Sequence, residues 1–346
     1  MSRVIGESTV AAGTAERSLP GQQAPQGLLV ALALGTVYVV WGSTYLAIRV
    51  MVRTVPPLVG AGGRFFVAGL ALVVVLRLRR GQGSLRMRPR ELAGAGVVGT
   101  LLVFGGNGLV TIAERHVPSS LAALLIASEP LWVVALRPLL AERTSRTSVI
   151  AIAVGFAGVG LLLLPGARPG GVSVAAMLLV LLAALSWASG SVGSRRLATP
   201  PDAFLSTAMQ MVVGGGLMLV SGVISGEAGR LHASSFTLDA IAALAFLVIF
   251  GSLGAFTAYV WLLQNVPIGK VSTYAYVNPM VAVLLGWLIL SEPISATTIA
   301  AAALIVASVA ITVREESRRA AVRPALASDS EGIGGTPAEP APVRSG

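Results

Sequence analysis

A run of about twenty apolar residues recurs ten times between residues 28 and 313, and this constrains the chain more than any other feature. The hydrocarbon core of a bilayer is crossed by about 20 residues of apolar helix. The expected fold is an all-α integral membrane protein with ten transmembrane helices, near 28–49, 56–76, 91–112, 118–140, 147–165, 173–194, 204–225, 238–264, 268–290 and 295–313. The joints are short and rich in proline: Pro56-Pro57, Val117-Pro118, Pro165-Gly166, Pro200-Pro201 and Val266-Pro267. Proline at a helix start removes only an N–H that has no helical partner anyway. Connections this short force consecutive helices to run antiparallel. Charge is scarce, at 12% of residues, where a water-covered surface needs about twice as much.

The formal net charge of +10 would point to nucleic acid in a soluble chain. Here the arginines sit in loops and tails, where they act as an orientation signal. One face collects Arg77, Arg79, Arg80, Arg86, Arg88, Arg90, Arg143, Arg146, Arg195, Arg196, Lys270, Arg314, Arg318 and Arg319. The other holds Arg49, Arg53, Arg115, Arg168 and Arg230, with Arg49 and Arg53 the discordant pair. The expectation is a multi-pass plasma (bacterial inner) membrane protein with both termini cytoplasmic. Residues 1–27 and 314–346 read as disordered cytoplasmic tails, and the first apolar run as a retained helix. The absence of cysteine excludes disulfides and thiolate chemistry, and two histidines near helix ends, His116 and His232, argue against a histidine metal centre. No catalytic residue, cofactor or metal is expected.

The chain also repeats itself. Val117-Pro118 is followed eleven residues after its proline by Glu129-Pro130, and Val266-Pro267 at the same interval by Asn278-Pro279. Each copy runs on to an acidic helix end, Glu142 or Glu292. Trp41-Gly42-Ser43 with Arg49 matches Trp187-Ala188-Ser189 with Arg195. These anchors divide the chain into five-helix repeats, 28–165 and 173–313. Five is odd, so the second copy enters the membrane inverted, an arrangement common in secondary transporters.

Buried charge marks function in such proteins, because it costs roughly 2.5–3.5 kcal/mol or more at mid-bilayer. Glu129 falls near the centre of helix four, Arg64 in helix two, and Arg137 late in helix four, where it can snorkel. Pro130 and Pro279 leave the carbonyls of Ile126 and Ala275 without helical donors, which is tolerable only against protein or a wet cavity. Glu129 either serves a solute or a proton, or pairs with Arg64; both roles can hold together. Polar and aromatic stripes lie at helical spacing: Tyr38, Trp41, Tyr45 and Arg49; Asn107, Thr111 and Glu114; Trp187, Ser191 and Ser194; Thr207 and Gln210; Ser252, Ala255 and Tyr259; Lys270, Tyr274 and Asn278. Lipid has no use for such stripes, so they are expected to point inward, whereas Trp287 and Trp261 fit an interfacial belt. Gly105-Gly106, Gly155 with Gly158, and Gly214-Gly215-Gly216 read as close helix contacts.

The runs Trp41-Gly42-Ser43-Thr44-Tyr45-Leu46-Ala47-Ile48-Arg49, Gly63-Arg64-Phe65, Gly106-Asn107-Gly108, Val117 to Leu125, Glu129-Pro130-Leu131-Trp132, Ser186-Trp187-Ala188, Tyr274 to Pro279, Gly286 and Ser291-Glu292-Pro293 resemble one family. It is the drug/metabolite transporter superfamily, in its ten-helix exporter branch with two EamA domains. Arg137-Pro138 departs from the small residues usual at that place. The resemblance implies a permease that exports amino acids, other small metabolites or toxic compounds by alternating access between the repeats. On that reading the substrate pathway is formed by Trp41, Thr44, Tyr45, Arg64, Asn107, Glu129, Trp187, Ser191, Gln210, Tyr259, Tyr274 and Asn278, with Pro130 and Pro279 breaking helices. Its aromatic faces suit an organic cation or an apolar side chain. The partners are a small-molecule substrate and the bilayer, with a coupling proton left open and no nucleic acid. A channel or a receptor-like scaffold is the alternative; a membrane enzyme lacks the residues it needs.

Overall fold

The computed structural model describes residues 23–136, 138, 144–164 and 172–332. The expectations for residues 1–22, Arg137, Glu142, Arg143, the Pro165-Gly166 joint, Arg168 and residues 333–346 lie outside them. Among the described residues every regular element is a helix. In chain order these are α1 Gly27–Met51, α2 Pro57–Arg80, α3 Pro89–Ala113, α4 Ser119–Ala135, α5 Arg146–Leu163, α6 Val174–Gly193, α7 Ala203–Ile224, α8 Leu238–Asn265 and α9 Ile268–Leu290. The last, α10, is Ala296–Gly332 and runs well past the boundary at 313 read from hydropathy.

The helix starts follow from local chemistry. Proline opens α2 and α3 at Pro57 and Pro89. Asp202 accepts from the N–H groups of Phe204 and Leu205 at 2.8 and 3.0 Å to cap α7, and Ser145 and Thr237 cap α5 and α8 in the same way. α2 ends at Gly81, whose φ of 78° only glycine adopts readily.

Among the described residues nine of the ten helices are long and apolar enough to cross a bilayer, and the described part of α4 is apolar but shorter. Within the span expected over 118–140 the described residues form two pieces, Ser119–Ile126 and Glu129–Ala135, while 137, 139 and 140 lie outside the described residues. Pro130 supplies no N–H to the carbonyl of Ile126, and the chain turns tightly through Ser128, whose carbonyl accepts from Leu131 N–H at 2.9 Å. Pro279 behaves differently from the break expected there. It lies inside a continuous helix, Tyr274–Leu290, and the interruption of α9 falls earlier, at Ser272–Thr273. A single missing hydrogen bond at Pro279 does not end a helix held on both sides by packing.

Three helices contain wider π turns that hydropathy does not reveal: Val37–Trp41 in α1, Thr100–Gly108 in α3 and Leu247–Phe256 in α8. α3 and α8 are repeat mates, so the irregularity is itself repeated. Such turns collect at functional sites.

The repeats interlock. α2 packs along α7, α5 along α10 and α4 against α9, so each of these pairs is a helix and its mate. α1 lies against α8 and α9, while α6 lies against α3 and α4; the first helix of each repeat is lent to the other. Glycine makes the closest approaches possible. A Cβ on Gly215 of α7 would stand 2.6 Å from the backbone nitrogen of Phe66 in α2, and one on Gly158 of α5 would stand 3.0 Å from Ile305 of α10.

Candidate functional site

The centre is built where the lent helices meet. Trp41 and its repeat mate Trp187 contact edge to face with centroids 5.3 Å apart. Tyr259 and Tyr274 close the group, at 4.8 and 5.4 Å from Trp41 and 5.7 Å from each other. Each such pair adds roughly 0.5–1.5 kcal/mol beyond burial, so the cluster is a rigid block. Its polar ends are tied: Trp187 Nε1 donates to Tyr259 Oη at 3.0 Å, and Ser191 Oγ lies 2.7 Å from the same oxygen. Gly106 lies so close that a Cβ there would come within 2.6 Å of the Trp187 ring.

Against this block lies a cavity of about 60 Å³, lined by Trp41, Thr44, Tyr45, Ile48, Arg64, Gly106, Asn107, Val110, Ile126, Ala183, Trp187 and Tyr274. Seven of the twelve residues expected to form the pathway are in that lining. Glu129, Tyr259 and Ser191 join it from behind: Tyr274 Oη donates to Glu129 Oε2 over a long 3.4 Å. Gln210 and Asn278 are buried elsewhere. Gln210 faces Ser206 of its own helix at 3.0 Å, and Asn278 lies at the α1–α9 contact, where its carbonyl is 3.3 Å from a Cβ built on Gly42. The volume holds a few waters rather than a metabolite, whose sites measure about 300 Å³ or more.

The pairing of Glu129 with Arg64 is not formed. Arg64 is 3% exposed, stacks over the Phe65 ring at 4.3 Å and donates from Nε to Ser252 Oγ at 2.9 Å. Its Nη1 has no partner, and neither does Glu129 Oε1. Unpaired buried groups of this kind cost roughly 1–3 kcal/mol each or more when charged. Arg64 lines the cavity, and Glu129 stands behind the lining residue Tyr274.

Several contributors escaped the sequence reading. Ile48, Val110, Ile126 and Ala183 line the cavity with apolar atoms, and nothing in their type separates them from lipid-facing neighbours. Glu114 was visible only as part of a stripe, yet it is fully buried and neither carboxylate oxygen is bonded. Glu292 turns back from the left-handed Ser291 (φ 53°) into the start of α4. There its two oxygens accept from the N–H and hydroxyl of Ser119 at 2.8 and 2.9 Å, and of Ser120 at 3.0 and 2.6 Å. Gly286 leaves room for that carboxylate; a Cβ would stand 2.6 Å from it. The discordant Arg49 also has a local task, donating to the Glu114 carbonyl at the end of α3, as its mate Arg195 does to the Val266 carbonyl at the end of α8. Cations at helix C-termini are favourable.

Comparison with known proteins agrees with this architecture. The pattern of the EamA-like transporter family matches residues 27–164 and 174–314. The chain is 40% identical over 255 residues to the uncharacterized inner membrane transporter YedA of Escherichia coli K12, covering 73% of this chain and 80% of that protein. It is 27% identical over 294 residues to the uncharacterized transporter YvbV of Bacillus subtilis, covering 84% and 94%. A probable amino-acid metabolite efflux pump of Salmonella typhimurium is 26% identical over 288 residues, covering 80% and 92%. A solved crystal structure shares the fold at a TM-score of 0.61 with 24% identity, covering 84% of this chain and 98% of that one. With both halves matched and a 40% identical relative spanned over most of its length, this chain belongs to the EamA-like transporter family and is a membrane transporter.

Proposed function

We propose that this transporter exports a small metabolite, amino acid or drug-like compound across the inner membrane, by alternating access around the cavity at Trp41 and Trp187. The observation that carries the reading is the position of that cavity. Repeat mates meet at its wall, and unpaired charge and aromatic faces surround a volume too small for a metabolite. A site on the pseudo-twofold axis is reached from either face when one repeat rocks against the other. The names of the Escherichia coli and Salmonella relatives support the inner membrane and outward transport. Glu129 is the group through which a proton or a substrate amine is engaged, since among the described residues its free oxygen has no cation in contact. Both termini lie in the cytoplasm, on the arginine-rich side. The test is metabolite profiling of the medium around cells overproducing the protein, against cells producing Glu129→Gln at equal level. Export predicts one or a few solutes enriched outside the wild-type cells and not the variant. Identical profiles from the two strains and from empty-vector cells would remove the reading.

A further inference from the structure

Arg64, in the cavity lining, and Glu114, buried just beyond the lining residue Val110, are opposite charges with no hydrogen bond between them. Arg64 lies two turns inside the start of α2 at Pro57, and Glu114 directly follows α3, one turn beyond the cavity-lining Val110. α2 begins and α3 ends on the same face of the bundle. The arginine is fixed from the other repeat by Ser252 on the π turn of α8, which leaves Nη1 free at the cavity wall. Glu114 is fully buried with both oxygens unpaired. Around it the charged and titratable groups are Arg49 and Tyr45 from α1, Arg64 from α2 and Glu292 from the turn after α9. Arg115 and His116 beside it in the chain are exposed. Arg49 also faces Glu114 and gives one guanidinium nitrogen to its backbone carbonyl; among the described residues the cation that lines the cavity and keeps an unpaired nitrogen is Arg64.

We propose that Arg64 is the docking point for an anionic group of the solute, a carboxylate or another oxyanion, and that Glu114 is its resident counter-charge. The inference rests on the transport reading above and names the chemistry of what is carried. An arginine fork matches an oxyanion in geometry and charge. While Glu114 is ionised it offsets the arginine and repels an incoming anion. When Glu114 takes a proton, the arginine keeps its full charge and the anion binds. The two events are therefore linked, and by reciprocity anion binding draws a proton onto Glu114. A site of this kind couples an anion to a proton on Glu114 and leaves Glu129 to engage a substrate amine.

The test uses the full-length protein purified in detergent, with tryptophan fluorescence as the signal because Trp41 and Trp187 line the cavity. The probes are acetate, lactate and methanesulfonate, which stay anionic from pH 6 to 8, with acetamide as the uncharged control. The wild type should show a saturable response to the anions and not to acetamide. Its affinity should rise as pH falls, by up to about tenfold per pH unit for one linked proton. Glu114→Gln should bind the anions at all pH values as tightly as the wild type does at pH 6. Arg64→Lys should weaken binding at least fivefold; should it not fold, Ser252→Ala, which releases Nε and keeps the charge, should weaken it too. An absent response in the wild type, an equal response to acetamide, or wild-type pH dependence in Glu114→Gln would overturn the proposal. The assay needs no transport, so its failure leaves export standing, and an absence of efflux leaves the binding result standing.

Discussion

A carboxyl group enclosed among helices at mid-bilayer is kept only where it is bonded or used. Glu129 has one long hydrogen bond, from Tyr274, and an oxygen without a partner. Glu129→Gln should therefore remove or reshape transport, including its pH profile, while the protein still reaches the membrane in normal amount; immunoblots of membrane fractions beside the efflux assay check both halves. Unchanged efflux with an unchanged pH profile would make Glu129 structural. Glu292 is the opposite case, with four donors converging on it. Replacing it by Gln puts an amide nitrogen against donors, and the loss should be about 3 kcal/mol or more. Thermal unfolding of the purified protein should shift clearly downward, and an unchanged midpoint would contradict the cap. At this scale sequence was most informative where chemistry was scarce: a charge in a lipid-length run stands out, as Arg64 and Glu129 did. It was least informative for Gln210 and Asn278, whose helical spacing was right but whose helices face a neighbour rather than the cavity at those positions.

Hydropathy located the helices because crossing lipid is a requirement on composition, and it missed the break inside α4 and the π turns because these do not change composition. Pro130 and Pro279 occupy equivalent places in the repeat, yet one lies at a break and the other inside a helix. Neighbouring packing decides that outcome. Glycine was more readable, since a span gains nothing else from losing a side chain. Gly215→Ala should push α7 off α2, where a Cβ would meet Phe66 N at 2.6 Å, and lower stability or yield. Gly63→Ala meets nothing within 4 Å and should be neutral or stabilise by up to about 1 kcal/mol through helix propensity. Detergent melting of both variants checks the pair. Equal behaviour would mean that the α2–α7 contact is looser than its glycines imply.

The two repeats exchange their first helices, so neither closes its core alone and the pseudo-twofold axis falls through the Trp41–Trp187 contact. That arrangement was foreshadowed by matching tryptophans and Val-Pro steps, whereas the exchange itself depends on long-range contacts that spacing does not encode. The arginine asymmetry predicts that reporter fusions after residues 85 and 170 give opposite readings, the first cytoplasmic. Matching readings would overturn the topology. The central claim is that solute passes between the repeats through the cavity, and single-cysteine accessibility tests it most directly, because the native chain has no cysteine. Asn107→Cys lies in the cavity lining, and Trp287→Cys is on an outward face where Trp287 is 56% exposed. In membrane vesicles a small water-borne thiol reagent should modify position 107 and spare 287, and a lipid-phase reagent should do the reverse. Position 107 inert to the water-borne reagent but labelled from the lipid would place this helix face against the bilayer and contradict the account.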